Sequence, residues 1–270
     1  MNNTAKNGAA LALTGLICLL PACDSADAEP GELRITMYGE DFIEDRVPAD
    51  EVIDGWEVVF SKFLVAAHDI EARGGEKLPG SFVMDLRPSS GGEGHDLGVI
   101  EMSSGPVGTV GFRVAPAPSD ATGNASAADI TTMAEQGLSV WVTGTATKGD
   151  ATLTFDWGFA TDTHYTPCET VADVPEGGEG VSQLTIHSDH LFYDDLDSGE
   201  PNVAFDIIAS ADADGDMVIT QEELAAVDIT GETRYQVGSR DITDLWSFIV
   251  AQTETLGHID GEGHCETHRE

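Results

Sequence analysis

An acidic segment in the last quarter of the chain has the residue types and spacing to bind a hard cation. Asp212, Asp214 and Asp216 alternate with other residues, and Thr220 and Glu223 follow within the twelve-residue stretch DADGDMVITQEE. Calcium takes six to eight oxygen ligands, so a binding loop must bring oxygens from successive residues back to one point. This spacing favours a cation site over an acidic loop that merely precedes a helix.

The segment 212–223 resembles the calcium-binding loop of the EF-hand family. The resemblance implies six ligand positions, which in chain order are Asp212, Asp214, Asp216, the Val218 carbonyl, Thr220 and Glu223. Ile219 stands at the eighth position, where the family has an apolar residue that joins the loop to its partner. We expect flanking helices at about 203–211 and 221–228. The chain has only one full loop, whereas family members usually carry a pair.

The sixth position of the loop departs from the family pattern, because Met217 stands where glycine is usual. The chain turns there through a left-handed conformation, which costs a non-glycine residue about 1–2 kcal/mol. At 1.4 kcal/mol per tenfold change, the expected loss of calcium affinity is about 5- to 30-fold. A site weakened in this way would still fill where external calcium is millimolar.

Histidines form a second candidate metal group. His187, His190, His258 and His264 lie at the predicted junction between strands and helices or near the C-terminal cysteine, with Asp189 between the first two. Imidazoles with a carboxylate suit zinc or copper. Residues three apart on an extended strand would point to opposite faces. We favour histidines that make hydrogen bonds at loop ends and at the start of a short helix, and we expect no tight metal binding.

The N-terminal segment predicts export. Lys6 is the only charged residue before Asp24, and a short apolar run ends in Leu20-Pro21-Ala22-Cys23. This ending resembles the bacterial lipobox, which implies lipidation of Cys23, removal of 1–22 as a signal peptide, and membrane anchoring in the cell envelope, facing the periplasm or exterior. The alternative is an ordinary secretory signal cleaved near Ala28.

Cysteine usage agrees with export. Of four cysteines, Cys18 and Cys23 lie in the signal region, which leaves Cys168 and Cys265 as the one pair in the folded body. In an oxidising compartment these two can form a disulfide. The alternative is two unrelated free thiols.

The predicted secondary structure that positions these groups changes from strand to helix near His187. From about 32 onward, apolar and polar residues alternate, with strand candidates at 33–37, 56–65, 81–87, 97–102, 109–115, 138–147, 151–159 and 181–187. One helix interrupts them, with Ser126 as its N-cap and Gly137 as its stop. Eight short strands with turn-rich connections predict a mainly β fold, an antiparallel β-sandwich.

After His187 the apolar spacing becomes helical. Ile242, Leu245, Trp246, Ile249 and Val250 follow the stripe of a helix packed on a core, and Gly257 would end it. We therefore expect four segments: a signal peptide at 1–22, an acidic tether at 23–31, a β-sandwich domain at 32–187, and a helical EF-hand module at 188–270.

Charge and missing motifs narrow the function. The chain has 12 Lys and Arg against 49 Asp and Glu, a net charge of −37, which excludes most nucleic-acid binders because they need clustered cations. The common hydrolase, metalloprotease and nucleotide-binding motifs are missing, so we expect no catalysis. We predict a lipid-anchored calcium-binding envelope protein. The alternatives are a periplasmic zinc or copper binding protein that uses the histidines, and an acidic surface or adhesion module without a specific ligand.

Overall fold

The computed structural model describes residue 1 and residues 29–269. The predicted signal peptide and Cys23 lie outside these described residues. The strands are β1 Gly31–Tyr38, β2 Glu57–Ala72, β3 Glu76–Lys77, β4 Phe82–Asp85, β5 His95–Met102, β6 Gly105–Val114, β7 Val140–Lys148, β8 Ala151–Phe159, β9 Thr163–Val174, β10 Glu179–Ile186, β11 Val218–Ile219, β12 Gly257–Ile259 and β13 Cys265–Arg269. The protein is mainly β, as the alternation predicts.

Helices in the described part of the chain are short. They are α1 Glu40–Glu44, α2 Ala127–Gln136, α3 Asp206–Ala209, α4 Gln221–Ala226 and α5 Leu245–Gln252, with 3₁₀ helices at Asp189–Phe192 and Thr253–Thr255. The predicted caps of α2 are confirmed: the Ser126 side chain accepts a hydrogen bond from the Asp129 amide, and Gly137 ends the helix with φ +66°.

The strands form two sheets. The smaller has the order β12-β10-β1-β5, in which β1 and β10 run parallel. The larger has the order β11-β8-β7-β2-β6-β9-β13, with β3 and β4 also paired to β2. The alternation of apolar and polar residues in β8 matches the burial of its side chains. Those of Leu153, Phe155, Trp157 and Phe159 are buried, whereas the residues between them are more exposed.

Strand β9 was missed by the sequence analysis. Its alternation is interrupted around Thr166, Pro167 and Cys168, although Thr163 and Tyr165 are buried as in an ordinary strand. The strand pairs with β6 on one side and β13 on the other. Tertiary pairing thus makes a strand from a segment whose own pattern is weak.

The region after 188 is less helical than the spacing predicts. Helices α3 and α4 have four and six residues where 203–211 and 221–228 were expected. The third helix begins after the Asp244 N-cap, so Ile242 lies before it, and Gly257 starts β12 instead of ending a helix. This region also supplies β11, β12 and β13 to the two sheets, and its apolar side chains share one core with residues before 188. The backbone N–H and C=O groups of these strands form their hydrogen bonds within the sheets, so they do not need a helix to be paired.

The predicted cysteine pair forms a disulfide between adjacent strands. Cys168 of β9 and Cys265 of β13 are register partners, with Cα atoms 4.1 Å apart. The bond therefore fixes the last strand to the larger sheet.

Candidate metal centres

The acidic loop brings its first three carboxylates together. One oxygen from each of Asp212, Asp214 and Asp216 lies within 4.8 Å of the others. The side chains also fold the loop, since Asp212 accepts hydrogen bonds from the amides of Gly215 and Met217, at 3.0 and 3.2 Å. Asp214 and Asp216 each accept from the amide two residues further on. The backbone thus curls around the point where the carboxylates meet.

Met217 adopts the left-handed conformation expected at the sixth loop position, with φ +69°. Its side chain is exposed, so no buried packing compensates for the conformational cost. Gly215 also has a positive φ, +75°, where glycine adopts it freely.

The end of the loop is attached to the larger sheet. Val218 and Ile219 form β11, which pairs in parallel with Thr154 and Phe155 of β8. The Thr154 amide donates to the Met217 carbonyl at 2.9 Å. Ile219 is fully buried in the core, and its carbonyl accepts from Trp157 Nε1 at 2.9 Å. The position that joins an EF-hand to its partner loop here joins a sheet edge.

Thr220 and Glu223 contact each other at the far end of the loop. They form a capping box on α4, in which one Glu223 oxygen, Oε2, accepts from both the amide and the hydroxyl of Thr220 at 2.9 Å. These hydrogen bonds, with smaller contributions from the peptide groups of Ala213 and Asp214, lower the pKa of Glu223. The carboxylate therefore faces the start of the loop, but it is not among the three that converge.

Three of the four predicted histidines form a compact cluster. The ring centroids of His187 and His258 are 4.4 Å apart, those of His187 and His190 5.1 Å, and those of His190 and His258 5.3 Å. His264 is exposed at the rim, 5.8 Å from His258. On an extended strand His187 and His190 would point to opposite faces, but Asp189–Phe192 is a 3₁₀ helix, and the two rings lie side by side.

The sheet explains the contact between His187 and His258. In the antiparallel pair β10–β12, Thr185 lies opposite His258, and the His187 amide extends the pairing by donating to the Leu256 carbonyl at 3.0 Å. His187 is two residues beyond Thr185, so it occupies the same face of the sheet as His258. No local spacing in the sequence reveals this, because the two strands are far apart along the chain.

The three rings of the cluster differ in the partners of their Nδ1 atoms. Nδ1 of His190 lies 2.7 Å from the Thr255 carbonyl, which can only accept, so that nitrogen carries the proton. Nδ1 of His187 lies 3.5 Å from the Glu40 carboxylate. Nδ1 of His258 is buried and has no hydrogen-bond partner among the described residues.

Burial also lowers the pKa of two of the three imidazoles. It lowers the pKa of His190 to about 4 and that of His258 to about 3, with the neighbouring His187 adding to both shifts. Burial raises the pKa of the Glu40 and Asp189 carboxyls, an effect that His187 partly opposes. Neutral imidazoles at pH 7 offer a lone pair, which is the form that metals bind.

Sequence reasoning included Asp189 but missed the other two carboxylates near this cluster, those of Glu40 and Glu262. Glu262 forms a group with His187 and His258, and Asp189 forms one with His187 and His190, each with ligand atoms within 4.8 Å. Glu40 comes from the opposite end of the chain and has a left-handed backbone, φ +54°. A positive φ at a glutamate cannot be read from sequence, so Glu40 carried no detectable signal.

The remaining histidines in the described region fit ordinary structural roles more closely. His68 has Ser81 Oγ and the Ala115 carbonyl within hydrogen-bond distance of its two nitrogens, and His95 has the Pro88 carbonyl. His164 and His268 are register partners on β9 and β13. The hydrogen-bonding interpretation therefore suits His68 and His95.

Comparison with known proteins found no match to the chain among family models, curated proteins or solved structures. Within the described residues, no helix is long and apolar enough to cross a membrane.

Proposed function

We propose that this protein is an exported, lipid-anchored calcium-binding protein, in which the loop 212–223 stabilises a β-sandwich in the cell envelope. The observation that carries the proposal is the convergence of Asp212, Asp214 and Asp216 in a loop that turns through a left-handed Met217. A hard cation requires this arrangement of oxygens. An acidic loop that serves only to begin a helix does not need a strained residue at that position.

The ligand set suits calcium better than a softer metal. The loop offers three Asp carboxylates, the Val218 carbonyl, Thr220 and the Glu223 carboxylate, all of them oxygens. Both capping hydrogen bonds from Thr220 are accepted by Oε2 of Glu223, and Oε1 takes part in neither of them. One oxygen can therefore turn to the cation while the cap of α4 persists.

The stabilising role follows from where the loop is attached. The two sheets enclose one large apolar cluster, which supports a sandwich arrangement. The loop contributes Ile219 to that cluster, and its strand β11 pairs with β8 to form one edge of the larger sheet. A cation that holds the loop closed therefore also holds an edge of the larger sheet and the α4 segment in place. Binding to the folded state alone stabilises it by mass action.

The strongly acidic surface adds to this effect. A net charge of −37 disfavours the compact state through self-repulsion, and the repulsion is greatest where carboxylates converge. Calcium reduces the local charge at such a point. A protein that only tolerates a salty habitat would gain stability from salt in general, without selectivity for calcium.

Thermal unfolding with and without calcium tests the proposal. At a calcium concentration of 100 times Kd, stabilisation is about 2.7 kcal/mol. For a chain of this size that amounts to a rise in Tm of about 5–11 °C. We expect calcium, but not the same ionic strength of sodium chloride, to produce this rise.

A matched pair of variants locates the effect. Asp216→Asn removes one converging carboxylate, whereas Asp120→Asn removes an exposed carboxylate outside the loop. The calcium-dependent rise should be lost or strongly reduced in Asp216→Asn and retained in Asp120→Asn. Equal rises in both variants would show that calcium acts on general surface charge, and the loop would not be the site.

A further inference from the structure

We infer that the histidine cluster is a second metal site, separate from the acidic loop, which binds one copper(II) or zinc(II) ion through His187, His190 and His258. The carboxylate of Glu262 supplies the fourth ligand. Two observations carry this inference: the three imidazole rings are neighbours, and their ligand atoms form two groups that share His187, one with His258 and Glu262 and one with Asp189 and His190. It reverses the expectation from sequence alone.

The spacing of the rings fits a single small ion. Two imidazoles bound to one zinc ion at about 2.1 Å in tetrahedral geometry have ligand nitrogens about 3.4 Å apart, and their ring centroids are then separated by about 5 Å. The three observed centroid separations run from 4.4 to 5.3 Å. The ring spacing is thus compatible with one shared ion. In this structure the ligand atoms of His190 and His258 belong to two separate groups that share His187, so rotation of these side chains must complete the site.

The hydrogen bonds select the nitrogens that face the ion. Nδ1 of His190 donates to the Thr255 carbonyl, which leaves Nε2 of that ring free. Nδ1 of His187 lies beside the Glu40 carboxylate, and its Nε2 lies 3.4 Å from the Gly261 carbonyl, a long contact that a bound ion would replace. Metal-binding histidines are commonly held in this way, with the other ring nitrogen donating to a carbonyl or carboxylate. In this arrangement Glu40 and Thr255 orient ligands and do not bind the ion.

His258 supplies an independent observation. Its Nδ1 is buried and has no hydrogen-bond partner in the described part of the chain. A buried polar atom left unsatisfied costs about 1–3 kcal/mol. A metal ion bound to Nδ1 would remove that cost, whereas the hydrogen-bonding interpretation leaves the atom unexplained.

Hydrogen bonds to the turn that carries Glu262 hold this residue close to the rings. Asp260, which precedes it by two residues, accepts hydrogen bonds from the Gln183 amide at 2.8 Å and the Thr170 hydroxyl. The Gly261 amide donates to the Thr185 hydroxyl at 2.9 Å. These contacts fix the turn between β12 and β13 above the cluster. Glu262 is exposed, so the fourth position faces solvent and gives the ion a path of entry.

The ligand chemistry distinguishes this site from the acidic loop. Three imidazole nitrogens and one carboxylate suit copper(II) and zinc(II), and copper(II) should bind more tightly by the general order of affinities for such ligands. Calcium prefers oxygen ligands and should not compete. The two sites can therefore be titrated separately in one sample.

Isothermal titration of the purified chain with copper(II) chloride and with zinc chloride, in saturating calcium, tests the inference. We expect one ion per chain, with copper(II) tighter than zinc(II). His190→Gln and His258→Gln should each weaken binding by about 100-fold or more, since loss of an orienting partner alone costs about 10- to 100-fold. His268→Gln removes an exposed imidazole on β13 and should leave the affinity unchanged.

Electron paramagnetic resonance of the copper(II) form gives a readout that a purely structural role would not change. The spectrum should show three coupled nitrogens in the wild-type chain and two in His258→Gln. His258 is chosen because it is half-buried and tolerates substitution better than the buried His190. An unchanged calcium response shows that a variant is folded. The inference is overturned if wild-type binding does not saturate at micromolar metal, if His268→Gln causes the loss, or if His258→Gln keeps all three nitrogens.

Discussion

Replacing Met217 with glycine should tighten calcium binding, although most substitutions in a binding loop weaken it. Met217 has φ +69° and an exposed side chain, so the substitution relieves backbone strain and removes little packing. Relief of a left-handed conformation is worth about 1–2 kcal/mol. By itself this corresponds to a gain in affinity of about 5- to 30-fold.

Part of the gain is offset because glycine makes the unbound loop more flexible. That cost is about 0.5–1 kcal/mol. Central values leave about 0.75 kcal/mol, which is a net tightening of about 3- to 4-fold. Ala213→Gly measures the flexibility cost alone, because Ala213 is an exposed loop residue without a positive φ. Relative to that control, Met217→Gly should show the full gain of about 5- to 30-fold.

Two further variants separate strain from side-chain effects. Met217→Ala removes the side chain but keeps the strain, so calcium affinity should remain close to that of the wild type. Gly215→Ala adds strain at a second left-handed position, φ +75°, where a new Cβ would meet no atom within 4 Å. It should weaken binding by about 5- to 30-fold.

Calorimetric titration and thermal unfolding of the calcium-loaded protein should be measured together. If the metal-free loop keeps its left-handed turn, the relief raises the free energy of unfolding with and without calcium, and affinity changes little. If the metal-free loop relaxes to another backbone conformation, the relief of strain at position 217 appears as tighter calcium binding. The reasoning is refuted if Met217→Gly exceeds Ala213→Gly neither in calcium affinity nor in the Tm of the calcium-loaded form.

Four other predictions follow from the sequence and the structure. Glu223→Gln should weaken calcium binding by more than Met217→Gly strengthens it, since it removes charge from the bidentate ligand, and calorimetry would contradict this by showing equal affinities. Cys23→Ser should move the protein from the membrane to the soluble fraction on cell fractionation, and unchanged partitioning would end the lipoprotein interpretation. A thiol assay on the unreduced protein should detect neither Cys168 nor Cys265, and two reactive groups there would exclude the disulfide. Hydrogen bonds from Arg113 lower the pKa of Asp162, so Asp162 contributes stability above about pH 4 that is lost as the pH falls through its folded pKa. Asp162→Asn should therefore be less stable than the wild type in urea at pH 7, and a difference that persisted unchanged at low pH would argue against this ion pair.

Local chemistry made several features predictable from the sequence. The alternation in 151–159 defines β8, because a half-buried strand needs apolar side chains on one face only. The side-chain cap of Ser126 and the left-handed Gly137 define the ends of α2. The resemblance of 212–223 to an EF-hand loop implied a left-handed residue at the sixth position, and Met217 has φ +69°. Such a turn depends on residues that are close along the chain.

Apart from the Cys168–Cys265 disulfide, only the tertiary structure decided which distant residues meet. Strand β9 forms because β6 and β13 pair with it, and the helices after 188 are short because that region is used to complete both sheets. The histidine cluster joins Glu40, His187, His190, His258 and Glu262, which come from segments that no sequence period connects. Side chains on one strand or in one loop are related by backbone geometry, whereas contacts between elements depend on how the sheets pair and pack.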